Sequence, residues 1–343
     1  MLNRVSTAAA VAIAAILFST PGSIAQEPIK LTFSAFSTSG SPNHRLTVDK
    51  MIAEIEKTSN GKVKFETYFG GSAYGNAPRQ FEQVQRGLVD IAHGLPGYTP
   101  GRFPLMEVVE LPFLFDDHVA ASGALWATYE KHLAQEFPDV KPLAIWLTSM
   151  QQMHFRQPVA KLDDLRGQKI RAGGPIMADA LRKLGAEGII VPAPAIYERM
   201  QKGVLDGAIG AWGMLAAFKL GEVASHHLDV RITAAPLFIF MNKKKYDSLP
   251  DDVKKLFDAY ANEKTAGEFA TAFGRSDVVG KKIGASEGHT TVVLSPDERQ
   301  RWAKTVQPVV DGYLEDLEKR GLKAKAFHKD FLAEYEKRAG KTN

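Results

Sequence analysis

Along the chain, apolar positions switch repeatedly between strict alternation and the three-to-four spacing of a helix, with Gly, Pro, Asn or Ser at the joins. Pro28 to Phe36 alternates through Ile29, Leu31, Phe33 and Ala35, which predicts a strand. Ser41 can cap and Pro42 can open a helix whose buried stripe is Val48, Met51, Ile52 and Ile55, closed by Asn60-Gly61. Lys62 to Tyr68 predicts a second strand, Ala77 to Arg86 a helix, and Leu88 to His93 a third strand. This β-α-β-α-β order favours a parallel sheet with right-handed crossovers. The glycines between Gly94 and Pro104 match neither the dinucleotide nor the P-loop spacing, so that run reads as a packed connection.

A helical segment near Asp117 to Phe137 and an apolar strand from Pro142 to Leu147 lead to a crossing between lobes near Thr148. Lys169 to Ala172 predicts a short strand. Gly173-Gly174 makes a bend, and Pro175 sits at the first position of a helix with Met177, Ala180, Leu181 and Leu184 on one face. Gly188 to Val191 predicts a strand, a helix passes through Tyr197 and Met200, and Val204 to Gly210 predicts a strand arriving at Ala211-Trp212. Ala234 to Met241 predicts a strand returning to the first lobe. A helical pattern from Pro250 to Lys282 would reach across both lobes at ~1.5 Å per residue, with Gly267, Gly274 and Gly280 as places to bend. A strand at Thr290 to Leu294 and two amphipathic helices end the chain. The expected division is 26–147 plus 236–275 in lobe I, and 148–235 plus 276–343 in lobe II. Gln85-Arg86-Gly87-Leu88-Val89-Asp90 and Gln201-Lys202-Gly203-Val204-Leu205-Asp206 echo each other at equivalent helix-to-strand joins, as two related lobes would.

The 343 residues, 45% hydrophobic and 24% charged, suit two α/β lobes rather than one core. Arg4, the apolar run Ala8 to Phe18 and the small residues Ser23 and Ala25 form a secretory-signal pattern, with cleavage expected after Ala25. The run is about half the ~20 residues of a membrane span. With no cysteine, disulfides, thiolate metal sites, a thiol nucleophile and a lipid-modified junction are all excluded. These features predict a periplasmic protein, without stable membrane insertion. Removing the signal removes Arg4 and lowers the formal charge from +4 to +3. Lys243-Lys244-Lys245 reads as a solvated turn, and no nucleic-acid partner is expected.

The residue with the most pointed chemistry is Arg171. It closes a predicted strand at the carboxyl edge, beside a helix amino terminus, where open α/β sheets bind ligands. A guanidinium there presents a fork of donors to an anion, with the helix end adding partial positive charge. The plainer alternative is a surface arginine paired with a neighbouring carboxylate.

Three stretches in order give the chain a resemblance. Phe155-Arg156-Gln157-Pro158-Val159 is followed by Asp164-Leu165-Arg166-Gly167-Gln168-Lys169-Ile170-Arg171 and then by Gln201-Lys202-Gly203-Val204-Leu205-Asp206-Gly207. The combination resembles the extracytoplasmic solute-binding proteins of tripartite ATP-independent periplasmic (TRAP) transporters. The resemblance implies the two-lobed periplasmic-binding-protein fold, with crossing strands and a long helix spanning both lobes. It also implies closure on an organic acid, delivery to TRAP permease membrane subunits, and a two-pronged salt bridge from Arg171 to the acid's carboxylate. Family contact positions before the first stretch and after the last fall on Met150 and on Gly210, Ala211 and Trp212. Met150 and Gly210 depart from the family's polar pattern, and with Trp212 they predict a less polar pocket with an aromatic wall. A small monocarboxylate with an apolar or aromatic body is therefore expected rather than a sugar acid. No cofactor and no metal are expected. Further candidates are Phe36, Ser37, Thr38 and Ser39 at a helix entrance, Tyr74, His93, and Phe238 on the returning strand. For several of these, burial in a core competes with ligand contact, most evidently for His93 and Trp212. An exported hydrolase is the rival class. The chain has no Gly-x-Ser-x-Gly elbow and no His-Glu-x-x-His, and Asp163-Asp164 and Asp251-Asp252 fall where helix capping explains them.

Overall fold

A computed structural model describes residues 27–340; the signal pattern and its cleavage site lie outside the described residues. Eleven strands are found among these: β1 (Ile29–Ala35), β2 (Val63–Tyr68), β3 (Ile91–Gly94), β4 (Val140–Leu147), β5 (Gln151–Phe155), β6 (Lys169–Ala172), β7 (Glu187–Ile190), β8 (Gly207–Ala211), β9 (His226–Thr233), β10 (Pro236–Asn242) and β11 (Thr290–Val293). They form two sheets, ordered β2-β1-β3-β10-β4 and β11-β9-β5-β8-β6-β7. In the first, β2, β1 and β3 are parallel, as the β-α-β-α-β order requires, and β10 inserts antiparallel between β3 and β4. In the second, β6 is parallel to β7 and β8, while β5 runs antiparallel to β8 and β9.

Strand β10 shows why the first sheet is covered on both faces. Phe238 and Phe240 enter one core with Phe81, Phe103 and Phe137. Leu237, Ile239 and Met241 enter another with Leu31, Phe33 and Trp146. A strand buried on both sides reads as one apolar run instead of an alternation.

The chain crosses between lobes twice through extended segments, at Thr148-Ser149-Met150 and at Ala234-Ala235. The two crossings are tied together: the Thr148 amide donates to the Ala235 carbonyl at 2.9 Å, and the Ala235 amide donates to Thr148 Oγ1 at 3.0 Å.

Two helices also span both lobes, and here the structure departs from the expected division. The single long helix expected from Pro250 is two, Asp251–Asp258 and Glu263–Gly284. The break falls at Ala259 to Asn262, where the Asn262 side chain accepts from the Thr265 amide and starts the second helix afresh. Its glycines serve close packing. A Cβ on Gly280 would lie 1.8 Å from the Trp212 carbonyl oxygen, so only glycine lets the helix sit on that loop. The Pro296–Lys319 helix puts Trp302 and Val306 into the core of the second lobe and Val310, Leu314 and Leu317 into that of the first, with Pro308 between the two sets. The Ala324–Arg338 helix, expected in the second lobe, packs Phe327, Phe331 and Tyr335 with Ala121 and Leu125 in the first. Its apolar stripe finds that core because the preceding helix has already carried the chain across. No helix among the described residues is long and apolar enough to cross a membrane.

Candidate ligand-binding site

Between the lobes lies a cleft of about 700 Å³, open solvent at its mouth included, lined from the first lobe by Phe36, Ser37, His93, Leu95, Tyr98 and Leu237, among others. Arg171, Gly173, Ala193, Ala211, Met214 and Phe218 face it from the second. The lobes touch across it. The Tyr98 hydroxyl accepts from the Ala193 amide at 3.0 Å and from Arg171 Nη2 at 3.3 Å. A Cβ on Gly97 would be 3.0 Å from the Gly173 carbonyl, so glycine lets the two backbones meet. At the mouth, Thr38 Oγ1 donates to the Ala217 carbonyl at 3.4 Å.

Among the described residues, Arg171 is the only lysine or arginine lining the cleft. It sits on β6, as its sequence predicts, with Pro175–Lys183 as the following helix. The residue is 3% exposed. Its Nε donates to the Val191 carbonyl at 2.7 Å and its Nη1 to the Ile209 carbonyl at 2.8 Å. Three of the five guanidinium donors are thus used by protein groups. One N–H on each terminal nitrogen remains. Among the described residues, no carboxylate lies within 4.0 Å of the guanidinium. Glu110 is a nearby buried acid, and burial, with the neighbouring Glu107 second, pushes its carboxyl up to about 8 against the opposing pull of Arg171. At neutral pH it is protonated, leaving the guanidinium charge uncompensated by protein. A buried cation in that state strongly favours an anion beside it. Tyr98 accepts twice and so has its own O–H left to donate; burial raises its pKa and keeps it neutral.

At the other end, His93 closes on Trp146 with ring centroids 5.4 Å apart and planes 20° from parallel, and on Phe36 at 5.0 Å. Burial lowers its pKa to about 3, so the ring is neutral. Beside it, His44 Nδ1 lies 2.9 Å from Ser37 Oγ and His44 Nε2 lies 3.2 Å from Asp49. Burial lowers the His44 pKa although Asp49 opposes this.

Of the residues singled out by sequence, Arg171, Phe36, Ser37 and His93 line this cleft, and Thr38 and Ser39 line a shallower hollow at its mouth. Five stand elsewhere. Met150 and Phe238 are in the core of the first lobe, and Tyr74 packs against that core. Trp212 is in a core of the second lobe, edge-on to His154 and His227 at 5.2 and 5.3 Å. Gly210 points its missing Cβ at Met214 Sδ, 2.4 Å away, and its carbonyl meets His154 Nε2 at 3.1 Å. Two of these placements share one cause. Gln151 and Leu237 line the cleft, one position after the expected Met150 and one before the expected Phe238, and Ala211, named beside Gly210 as a family contact position, lines it as well. Neighbouring residues of an extended chain face opposite ways, so a one-residue error changes the face. His44, Tyr98, Thr148, Met214, Phe218 and Phe273 also line the cleft without having been singled out. Tyr98 is the one aromatic hydroxyl in the glycine-rich connection 94–104, a signal present in the sequence.

The model of the DctP family, bacterial extracellular solute-binding protein family 7, matches residues 33–316. The chain belongs to this family. It is a solute-binding protein of the TRAP type, a family of periplasmic proteins that bind small organic acids and work with TRAP permeases. Among similar proteins, the C4-dicarboxylate-binding periplasmic protein of Rhodobacter capsulatus is 26% identical over 85% of this chain and 88% of its own. A TRAP solute-binding protein from Rhodoferax ferrireducens, solved with copurified benzoate, superposes with a TM-score of 0.88 at 27% identity, covering 91% of this chain and 99% of that one. Another, from a marine metagenome and specific for aromatic acid ligands, was solved with metahydroxyphenylacetate. It gives a TM-score of 0.87 at 29% identity, with 90% and 99% covered. These relatives share the two-lobed architecture of this DctP-family chain.

Proposed function

We propose that this TRAP solute-binding protein captures a small monocarboxylate with an apolar or aromatic body and delivers it to its permease in the periplasm, its leader having been cut after Ala25. The observation that carries the reading is the charge state of the cleft. Among the described residues, one buried guanidinium faces it without a carboxylate partner, and the neighbouring walls are Phe36, Leu95, Phe218, Leu237 and Phe273. One cation suits one carboxylate. A C4-dicarboxylate would leave its second charge among neutral groups, and burying an unpaired charge is costly. A sugar acid would bring a ring of hydroxyls partly against Phe36, Leu95, Phe218, Leu237 and Phe273, which offer them no partners. The benzoate and metahydroxyphenylacetate of the two related structures are acids of the favoured class.

The binding cycle follows from the contacts across the cleft. Acid docks on Arg171 in the second lobe. Tyr98 and Phe36 then arrive from the first, so ligand favours the closed form by the contacts that exist only there. Thermal denaturation in the presence of benzoate, phenylacetate, succinate and glucuronate tests the reading, since ligand bound to the folded state raises its apparent stability. Stabilisation by the aromatic monocarboxylates and not by the other two is expected. Stabilisation by glucuronate or succinate alone would overturn it.

A further inference from the structure

The end of the cleft away from Arg171 is lined by aromatic rings but is not apolar throughout. His93 is 4% exposed, and neither of its ring nitrogens has a hydrogen-bond partner among the described residues. Gln151 Oε1 and Asn43 Oδ1, from residues that line the same cleft, are also buried and unpaired. Native proteins rarely leave buried polar atoms without partners, because each one forfeits its bond to water. His93 is held in place by rings and not by polar bonds. Trp146 stacks on one side and Phe36 lies against it, so the imidazole cannot turn to seek a partner without breaking that packing. Phe36 stands between this station and the arginine, with its ring 5.0 Å from His93 and 5.3 Å from Tyr98, whose hydroxyl contacts Arg171.

We infer that the acid carries a second polar group, a neutral hydroxyl on its ring, which completes the hydrogen bonding of His93 while the carboxylate lies on Arg171. The assignment rests on the monocarboxylate reading above and narrows it to hydroxylated aromatic acids. A neutral imidazole has one N–H and one lone pair, and a phenolic hydroxyl can use either. A second carboxylate would find no cation at His93, because burial keeps the imidazole unprotonated down to about pH 3. Gln151 Oε1 and Asn43 Oδ1 add acceptors for a hydroxyl proton.

Matched pairs test this: benzoate against 3- and 4-hydroxybenzoate, and phenylacetate against its 3- and 4-hydroxy derivatives, titrated calorimetrically into the full chain. In at least one pair the hydroxylated acid binds about tenfold tighter or more, as a site built around a hydroxyl discriminates against the analogue lacking it. His93→Phe brings that pair to within about threefold of each other. In the unmutated, 15N-labelled protein, a histidine ring-nitrogen resonance shifts with the hydroxylated acid and not with its parent, which reads the contact even if the variant does not fold. Equal binding of every pair, or an unchanged preference in His93→Phe, overturns the inference and leaves the monocarboxylate reading in place. Silence from the whole panel together with binding of glucuronate overturns both.

Discussion

At one end of the cleft Arg171 comes with its direction fixed by two backbone carbonyls and a tyrosine hydroxyl, and with charge to spare. At the other end His93 comes with no polar bond among the described residues, held by the faces of Trp146 and Phe36. The arginine is prepared by its own lobe. Val191 and Ile209 lie on the same side of the hinge as Arg171, so the anchor exists before closure. The histidine belongs to the opposite lobe and can reach a ligand held on Arg171 only when the halves meet. On the reading proposed above, a fixed charge supplies affinity and an unfinished neutral group supplies selection.

The largest effect should come from breaking the first end. Arg171→Ala is expected to lose at least ~2–5 kcal/mol of binding for an aromatic monocarboxylate by calorimetry, as when one partner of a buried charged pair is removed. An unchanged affinity would mean that the two ends do not divide the work as described. Tyr98→Phe comes next. It removes the acceptor for Arg171 Nη2 and leaves the Ala193 amide buried without a partner, for an expected loss of ~1–3 kcal/mol. Because Tyr98 serves the carboxylate end, the preference between hydroxylated and parent acids should survive in this variant. A collapse of that preference would blur the distinction.

The smallest effect concerns Glu110. Its folded-state pKa of about 8 lies above the ordinary carboxylate value, mainly through burial. In that situation the unfolded chain gives up the proton first, so as pH rises from the ordinary carboxylate range towards 8 the folded state loses stability. Glu110→Gln removes that loss. The melting temperature of the variant relative to wild type should therefore climb over that window, by a few degrees, and level off above it. Acid affinity in the wild type should also fall as Glu110 ionises and its charge offsets that of Arg171, a fall absent from the variant. A flat difference in melting temperature between pH 5 and pH 9 would count against a neutral Glu110.

Much of this arrangement could be read from the residues, and the parts that could not have identifiable causes. Arg171 was legible because a short strand, two glycines and a helix-opening proline fix where its side chain starts. The returning strand β10 was legible as an apolar run, but such a run does not say which residues face the cleft, hence Phe238 in place of Leu237. Strand β5 was hidden by its own polarity. Gln151, Gln152 and His154 are buried in it, with Gln152 Oε1 accepting from the Arg231 amide and His154 meeting His227 at 3.0 Å. Side chains that are satisfied by partners 73 or 79 residues away carry no local signature. The same holds for the long helix. Its spacing continues through Tyr260, and only the side chain of Asn262 reveals that one helix has stopped and another begun. His93 was visible as a candidate, but its lack of partners is a property of the packed molecule.

The Pro296–Lys319 helix passes from one core to the other at Pro308. Proline brings no amide hydrogen, so the ladder is missing a rung at the Lys304 carbonyl, at the one place where the rod has a lobe on either side. A strap weakened at its midpoint bends there first. On the proposed binding cycle, how readily the jaws part is therefore expected to depend in part on a residue that never meets the cargo.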